Sequence, residues 1–144
     1  MERIVVGVDG SAGSLAALRW ALELASETGA VLEVVNVWEL SYAWIDGYVP
    51  DVDRWAAQAE AAAHGCLDGA VADVLGGKPC YVEITRTVVE GSPAKVLLDR
   101  AKDADALVVG SRGRGGFTGL LLGSVSQQCV HHARVPVVVV PEPE

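Results

Sequence analysis

Short apolar, β-branched runs alternate along this chain with longer stretches in which apolar residues recur every three or four positions. The first run, Ile4-Val5-Val6-Gly7-Val8-Asp9, has no polar face and closes on Gly10-Ser11, the pattern of a strand covered on both sides. A helix is predicted next, with Ser11 or Ser14 as its cap, Leu15, Leu18, Leu22 and Ala25 on one face, and Gly29 at the left-handed position that ends it. Further strands are predicted over residues 31–37, about 81–89, 106–109 and 137–140. Between them fall an Ala-rich helix over about 54–75, weakened locally by Gly65 and Gly69, and a helix entered at Ser92-Pro93, with proline at its first position. A last helix carries Val125, Cys129 and Val130 towards the core.

Strand and helix therefore alternate, which predicts a single-domain α/β fold: a five-stranded parallel, doubly wound sheet with helices on both faces. In such a sheet ligands collect beyond the carboxyl ends of the strands, at the point where strand order reverses. The most specialised exits are Asp9-Gly10-Ser11 after the first strand and Gly110-Ser111-Arg112-Gly113-Arg114-Gly115-Gly116 after the fourth. They favour the order 3-2-1-4-5, with a crevice between strands one and four. A flavodoxin-like order, switching between strands one and three, is the alternative, although Glu90-Gly91-Ser92 makes a poorer anion cradle.

The chemistry expected at that crevice is anion binding. Glycines at Gly110, Gly113, Gly115, Gly116 and Gly123 let backbone N–H groups approach phosphate oxygens, and Arg112 and Arg114 supply charge. The helix starting after Gly123 offers its N-terminal N–H groups, with Ser124 and Ser126 as added donors. Asp9 either accepts hydrogen bonds from a nucleobase or ribose, or caps the helix that follows it. The stretch from Trp38 to Asp53, with Tyr42, Trp44, Asp46, Gly47, Tyr48 and Pro50, is either a nucleobase cover or partner surface, or a loop whose aromatics pack on the sheet edge.

Composition narrows the partners. A net charge of -8, from 19 acidic against 11 basic residues, argues against nucleic acid, which needs clustered cations. No apolar run reaches the length of a membrane span and no leader-like segment opens the chain, so a soluble cytoplasmic protein is expected. Cys66, Cys80 and Cys129 lack metal-ligand or disulfide spacing and are expected to be small buried hydrophobes. The adjacent His131 and His132 cannot share a helix face, so no metal site is expected there. The chain has no Gly-x4-Gly-Lys-Ser/Thr loop, no Gly-x-Gly-x-x-Gly fingerprint and no nucleophile elbow, so the familiar transferase and hydrolase chemistries are not expected.

Gly110-x2-Gly113-x9-Gly123-Ser124 resembles the ATP-binding pattern of the universal stress protein family, and Val-Gly-Val-Asp-Gly-Ser, Ser92-Pro93, Gly-Ser-Val-Ser and Val-Pro-Val-Val-Val-Val extend the resemblance over the whole chain. The resemblance implies that Asp9 and Val37 contact the adenine side of ATP. It implies that Gly110, Gly113 and Gly123 line the ribose and phosphates, and that Ser124 and the backbone from Arg114 to Gly116 hold the phosphate chain, with Val125 and Ser126 in the same helix turn. Mg would accompany the nucleotide. The family also implies a homodimer paired through the last strand, Val137 to Val140, and a sensor or regulatory role in stress response. A slow ATPase, or a module selective for AMP or cyclic AMP, would use the same pocket.

Overall fold

The structure is a computed structural model, and it describes residues 1–39, 52–112 and 122–143. In chain order its elements are β1 (Arg3–Gly7), α1 (Ala12–Thr28), β2 (Val31–Trp38), α2 (Val52–Leu75), β3 (Ile84–Glu90), α3 (Pro93–Arg100), β4 (Ala106–Gly110), α4 (Ser124–His132) and β5 (Val137–Val140). The five strands form one parallel sheet in the order β3-β2-β1-β4-β5. This is the order favoured by the sequence, and it excludes the switch between strands one and three, because β3 lies at the edge beyond β2.

Alternation along each strand sorts side chains onto two cores. Ile4, Val6, Leu32, Val34 and Val108 pack with Ala17, Leu18, Ala21 and Ala25 of α1 and with Leu67, Ala70 and Val71 of α2. Val5, Val35, Leu107 and Val109 face the other way, onto Ala94 and Leu97 of α3 and Cys129 of α4. The connections into β2 and β3 step outward on one side of β1, and those into β4 and β5 step the opposite way, so right-handed crossovers place α1 and α2 on one face and α3 and α4 on the other.

Several expectations shift in detail. α1 does begin at the Ser11 cap and end at Gly29, whose φ is 75°. Its buried face, however, is Gly13, Ser14, Ala17, Leu18, Ala21 and Ala25, with Leu15 and Leu22 only partly buried. Small side chains let this helix approach the sheet closely, and the leucines flank the contact. The third strand starts at Ile84 rather than near Tyr81, which is 94% exposed. Ile84 pairs with Leu32, one residue into β2, so residues 81–82 extend past the end of β2 and have no strand beside them. α2 starts at Val52 and runs through Gly65 and Gly69 without a break. Val130 points outward, 47% exposed, because α4 turns only Ser126 and Cys129 fully inward. Of the cysteines only Cys129 is buried, its thiol pushed up to about 11 by burial; Cys66 is half-buried and Cys80 is exposed in the unpaired stretch before β3. Within the Trp38 to Asp53 stretch, Trp38 ends β2 and Asp53 belongs to the first turn of α2. Tyr42, Trp44, Asp46, Gly47, Tyr48 and Pro50 lie outside the described residues.

Candidate functional site

β1 leads into a helix on one face of the sheet and its neighbour β4 leads into a helix on the other, so their connections diverge and leave a crevice between the two strand ends. One wall is the turn after β1. The Val8 N–H donates to the Val35 carbonyl at 2.8 Å, and Nδ2 of the buried Asn36 donates to the Val8 carbonyl at 3.0 Å, which ties the exit of β1 to β2. Asp9 then accepts the Ser11 N–H on Oδ1 at 2.9 Å, while its own N–H donates to Ser14 Oγ at 3.2 Å. Ser14 Oγ in turn donates to the Ser11 carbonyl at 3.0 Å, and the Ser14 N–H donates to Ser11 Oγ at 3.2 Å. Asp9 Oδ1 thus takes part in shaping the entry to α1, the capping role that the sequence allowed for it.

The other wall is built around Ser111. Its N–H donates to the Val140 carbonyl at 2.8 Å, and its carbonyl accepts the Gly123 N–H at 2.6 Å and the Ser126 hydroxyl at 2.9 Å. The Ser126 hydroxyl also lies 3.0 Å from the Gly123 carbonyl, so its single proton serves these two acceptors. The two ends of the glycine-rich segment are thereby clamped together. Ser126 was expected to offer its hydroxyl to a phosphate, but it is 2% exposed and holds the clamp. Gly123 likewise directs its N–H at Ser111. α4 begins just beyond, with no side-chain cap, and the N–H groups of Ser124, Val125 and Ser126 in its first turn have no intrahelical acceptor. Ser124 is exposed, with its Oγ 3.4 Å from Gln128 Nε2, and Val125 packs partly onto the second core.

The walls meet through two glycines. A Cβ on Gly110 would stand 2.7 Å from the Gly13 carbonyl carbon and 2.8 Å from its oxygen, and a Cβ on Gly13 would stand 2.5 Å from the Arg112 carbonyl oxygen. Gly110 therefore lacks a side chain so that α1 can press against the end of β4. Gly13 was not singled out from the sequence. Its signal was a glycine in the first turn of an otherwise good helix, and Asn36 was also passed over as a polar residue within an apolar run.

Charge in the crevice is already partnered in part. Arg112 Nη2 lies 2.8 Å from Glu142 Oε2 in the tail after β5. Val37, near the carboxyl end of β2, pairs with Val89 and is partly buried against the second core. Gly113, Arg114, Gly115 and Gly116 lie outside the described residues. Among the described residues no group of three or more His, Cys, Asp and Glu is arranged to hold a metal ion, and no helix is long and apolar enough to cross a membrane. A half-open cavity of about 350 Å³ lies away from the crevice, between the carboxyl ends of α3 and α4, where Lys102, His132 and Arg134 complement the helix termini.

A model of the universal stress protein family matches residues 1–141. Universal stress protein Rv2623 of Mycobacterium tuberculosis is 37% identical over 142 residues, an alignment covering 96% of this chain and 45% of that protein. The chain thus spans about half the length of the curated relatives it matches. Among solved structures, a universal stress protein family protein from Arabidopsis thaliana with AMP bound superposes with a TM-score of 0.67 at 25% identity, covering 99% of this chain and 93% of that one. A universal stress protein in complex with cAMP superposes with a TM-score of 0.61 at 27% identity, covering 99% and 98%. A family match over nearly the whole length, on a sheet of this order with the crevice at its switch point, means that this chain belongs to the universal stress protein family.

Proposed function

We propose that the crevice between β1 and β4 binds an adenine nucleotide and that the chain acts as a nucleotide-dependent sensor or regulatory module in stress physiology, in the cytoplasm. The observation that carries this assignment is the opening of α4. Its first-turn N–H groups, which have no intrahelical acceptor, stand directly after a glycine-rich segment whose ends are clamped by Ser111, so the donors are held in place for a ligand. Gly110-x2-Gly113-x9-Gly123-Ser124 supports ATP as the ligand. The AMP and cAMP named for the two related structures support a second reading, in which a nucleotide with one phosphate is preferred. Either fits the donor set, since a helix N-terminus supplies oriented N–H groups to one phosphate group at a time. Mg would be held chiefly by phosphate oxygens and water, the usual arrangement where protein carboxylates are few.

A homodimer formed through β5 belongs to the same proposal. β5 is an edge strand of four half-buried valines that pairs only with β4 among the described residues, and such an edge is a ready pairing surface.

Calorimetric titration with ATP, ADP, AMP, cyclic AMP and GTP tests the assignment, with Gly123→Val as the control. Gly123 is buried and its N–H is bonded to the Ser111 carbonyl, so a branched side chain there should disturb the clamp: adenine nucleotides should bind the parent and lose affinity in a variant whose circular dichroism is unchanged. Equal affinity in both proteins, or heat with none of the nucleotides, would refute it.

A further inference from the structure

The tail after β5 reaches back to the crevice. The Val140 carbonyl is fixed by the Ser111 N–H at 2.8 Å, and the next residues are Pro141, Glu142 and Pro143. Each proline ring locks its own φ and biases the preceding residue towards extended backbone, so Glu142 is held on a stiff segment anchored at the end of β4. From there its Oε2 meets Arg112 Nη2 at 2.8 Å. The pair is only partly open to water, with Arg112 29% and Glu142 40% exposed at the side chain.

Arg112 has its backbone on the crevice floor, where its carbonyl is pressed against Gly13, and its guanidinium turned to the tail. A long, flexible side chain with this anchor point has two alternative partners, the Glu142 carboxylate and a phosphate in the crevice. A phosphate that recruits Arg112 must displace Glu142 or bind beside its negative charge. The penalty grows with the charge on the ligand, because a triphosphate needs more compensating cation than a monophosphate or a cyclic monophosphate.

We infer that Glu142 is a specificity-determining residue: by competing for Arg112 it ranks nucleotides by phosphate charge, weakening a triphosphate more than a monophosphate. This rests on the nucleotide assignment above and goes beyond it in naming what sets the preference within the adenine series.

The test is calorimetry with ATP, AMP and cyclic AMP on the parent chain, Glu142→Gln, Arg112→Gln and the double variant, with thermal melts to verify folding. Glu142→Gln should tighten ATP about fivefold, the scale of one partly exposed charge contact, while AMP and cyclic AMP change by less than about twofold. In the Arg112→Gln background the same tail change should leave the ATP to AMP affinity ratio nearly constant, because the contested cation is gone. An unchanged ratio in Glu142→Gln, with all three nucleotides still bound, would overturn the role of Glu142 and leave the nucleotide assignment standing. An equal rise in ATP affinity with and without Arg112 would also overturn it, since that is general charge removal. Failure of the parent chain to bind any of the three would remove the nucleotide assignment and this inference together.

Discussion

The two ends of the sheet use polar residues in opposite ways. At the amino end a buried carboxylate, Glu33 on β2, accepts from Arg3 Nη1 at 2.6 Å, from Thr87 Oγ1 at 2.8 Å and from Arg100 Nε at 2.8 Å, with a second contact from Arg100 Nη2. Arg3 also donates to the Arg100 carbonyl, and Asp105 accepts the N–H groups of Glu2 and Arg3, bonds that hold its carboxyl below the ordinary range. β1, β2, β3 and the end of α3 are riveted there by charge. At the carboxyl end, the Asp9 carboxylate and the hydroxyls and backbone groups of Ser11, Ser14, Ser111 and Ser126 shape the turns, and the first-turn N–H groups of α4 have no intrahelical acceptor. Strong, mutually satisfied charges lock one end, while the other keeps donors for a ligand. Stability and binding should therefore be separable by mutation.

The largest effect should come from Glu33→Gln, which leaves two arginines facing a neutral amide. Since Arg3 and Arg100 keep 33% and 44% of their side-chain surface in water, the loss should sit at the lower end for a broken buried pair, about 3 kcal/mol in urea unfolding. Nucleotide affinity should stay unchanged once the variant is folded. The same residue sets an acid limb. Burial alone would raise the Glu33 carboxyl, but hydrogen bonds from Arg100 and Thr87 and the charges of Arg100 and Arg3 outweigh it and hold the group below its ordinary 4.5. Its contribution is thus complete above that ordinary value and fades as pH falls through the lower folded one. Unfolding free energies measured from pH 7 downward should fall less steeply in Glu33→Gln than in the parent.

Next in size is Gly110→Ala, where the new methyl would be driven into the Gly13 carbonyl. Separation of α1 from β4 should cost about 2 kcal/mol and weaken nucleotide binding as well, because the crevice floor moves. Ser126→Ala, read by the same unfolding and titration assays, should cost about 1 kcal/mol and lower affinity by loosening the clamp on Ser111. Smallest, and of opposite sign, is Gly65→Ala. A Cβ there meets nothing within 4 Å, so the helix α2 should gain about 0.5–1 kcal/mol with no change in binding.

Much of this was legible in the sequence. Apolar runs bounded by glycine and serine located every strand, the Ser11 and Gly29 signals bounded α1, and the specialised exits at Asp9 and Gly110 located the switch point before any strand order was known. The misjudged details share a physical cause: they depend on neighbours in space. Tyr81 sits in a strand-like run, yet the parallel strand it would pair with has not begun at that level. Gly13 looks like an ordinary helix glycine until α1 is laid across β4. Ser126 has the right chemistry for phosphate, but the Ser111 carbonyl that claims its proton lies 15 residues away. Glu33 and Asn36 interrupt a valine-rich strand, and that interruption was the visible sign of the polar contacts made at each end of the sheet.

The separation of the two ends is tested most directly by amide hydrogen exchange with and without saturating AMP or ATP. Binding at the switch point predicts slower exchange in residues 8–14 and 123–127, at the exit of β1 and the start of α4, with rates at residues 2–3, 33 and 98–105 unchanged. Protection confined to the amino end, or around the cavity between the carboxyl ends of α3 and α4, would contradict the account and move the ligand to the other side of the molecule.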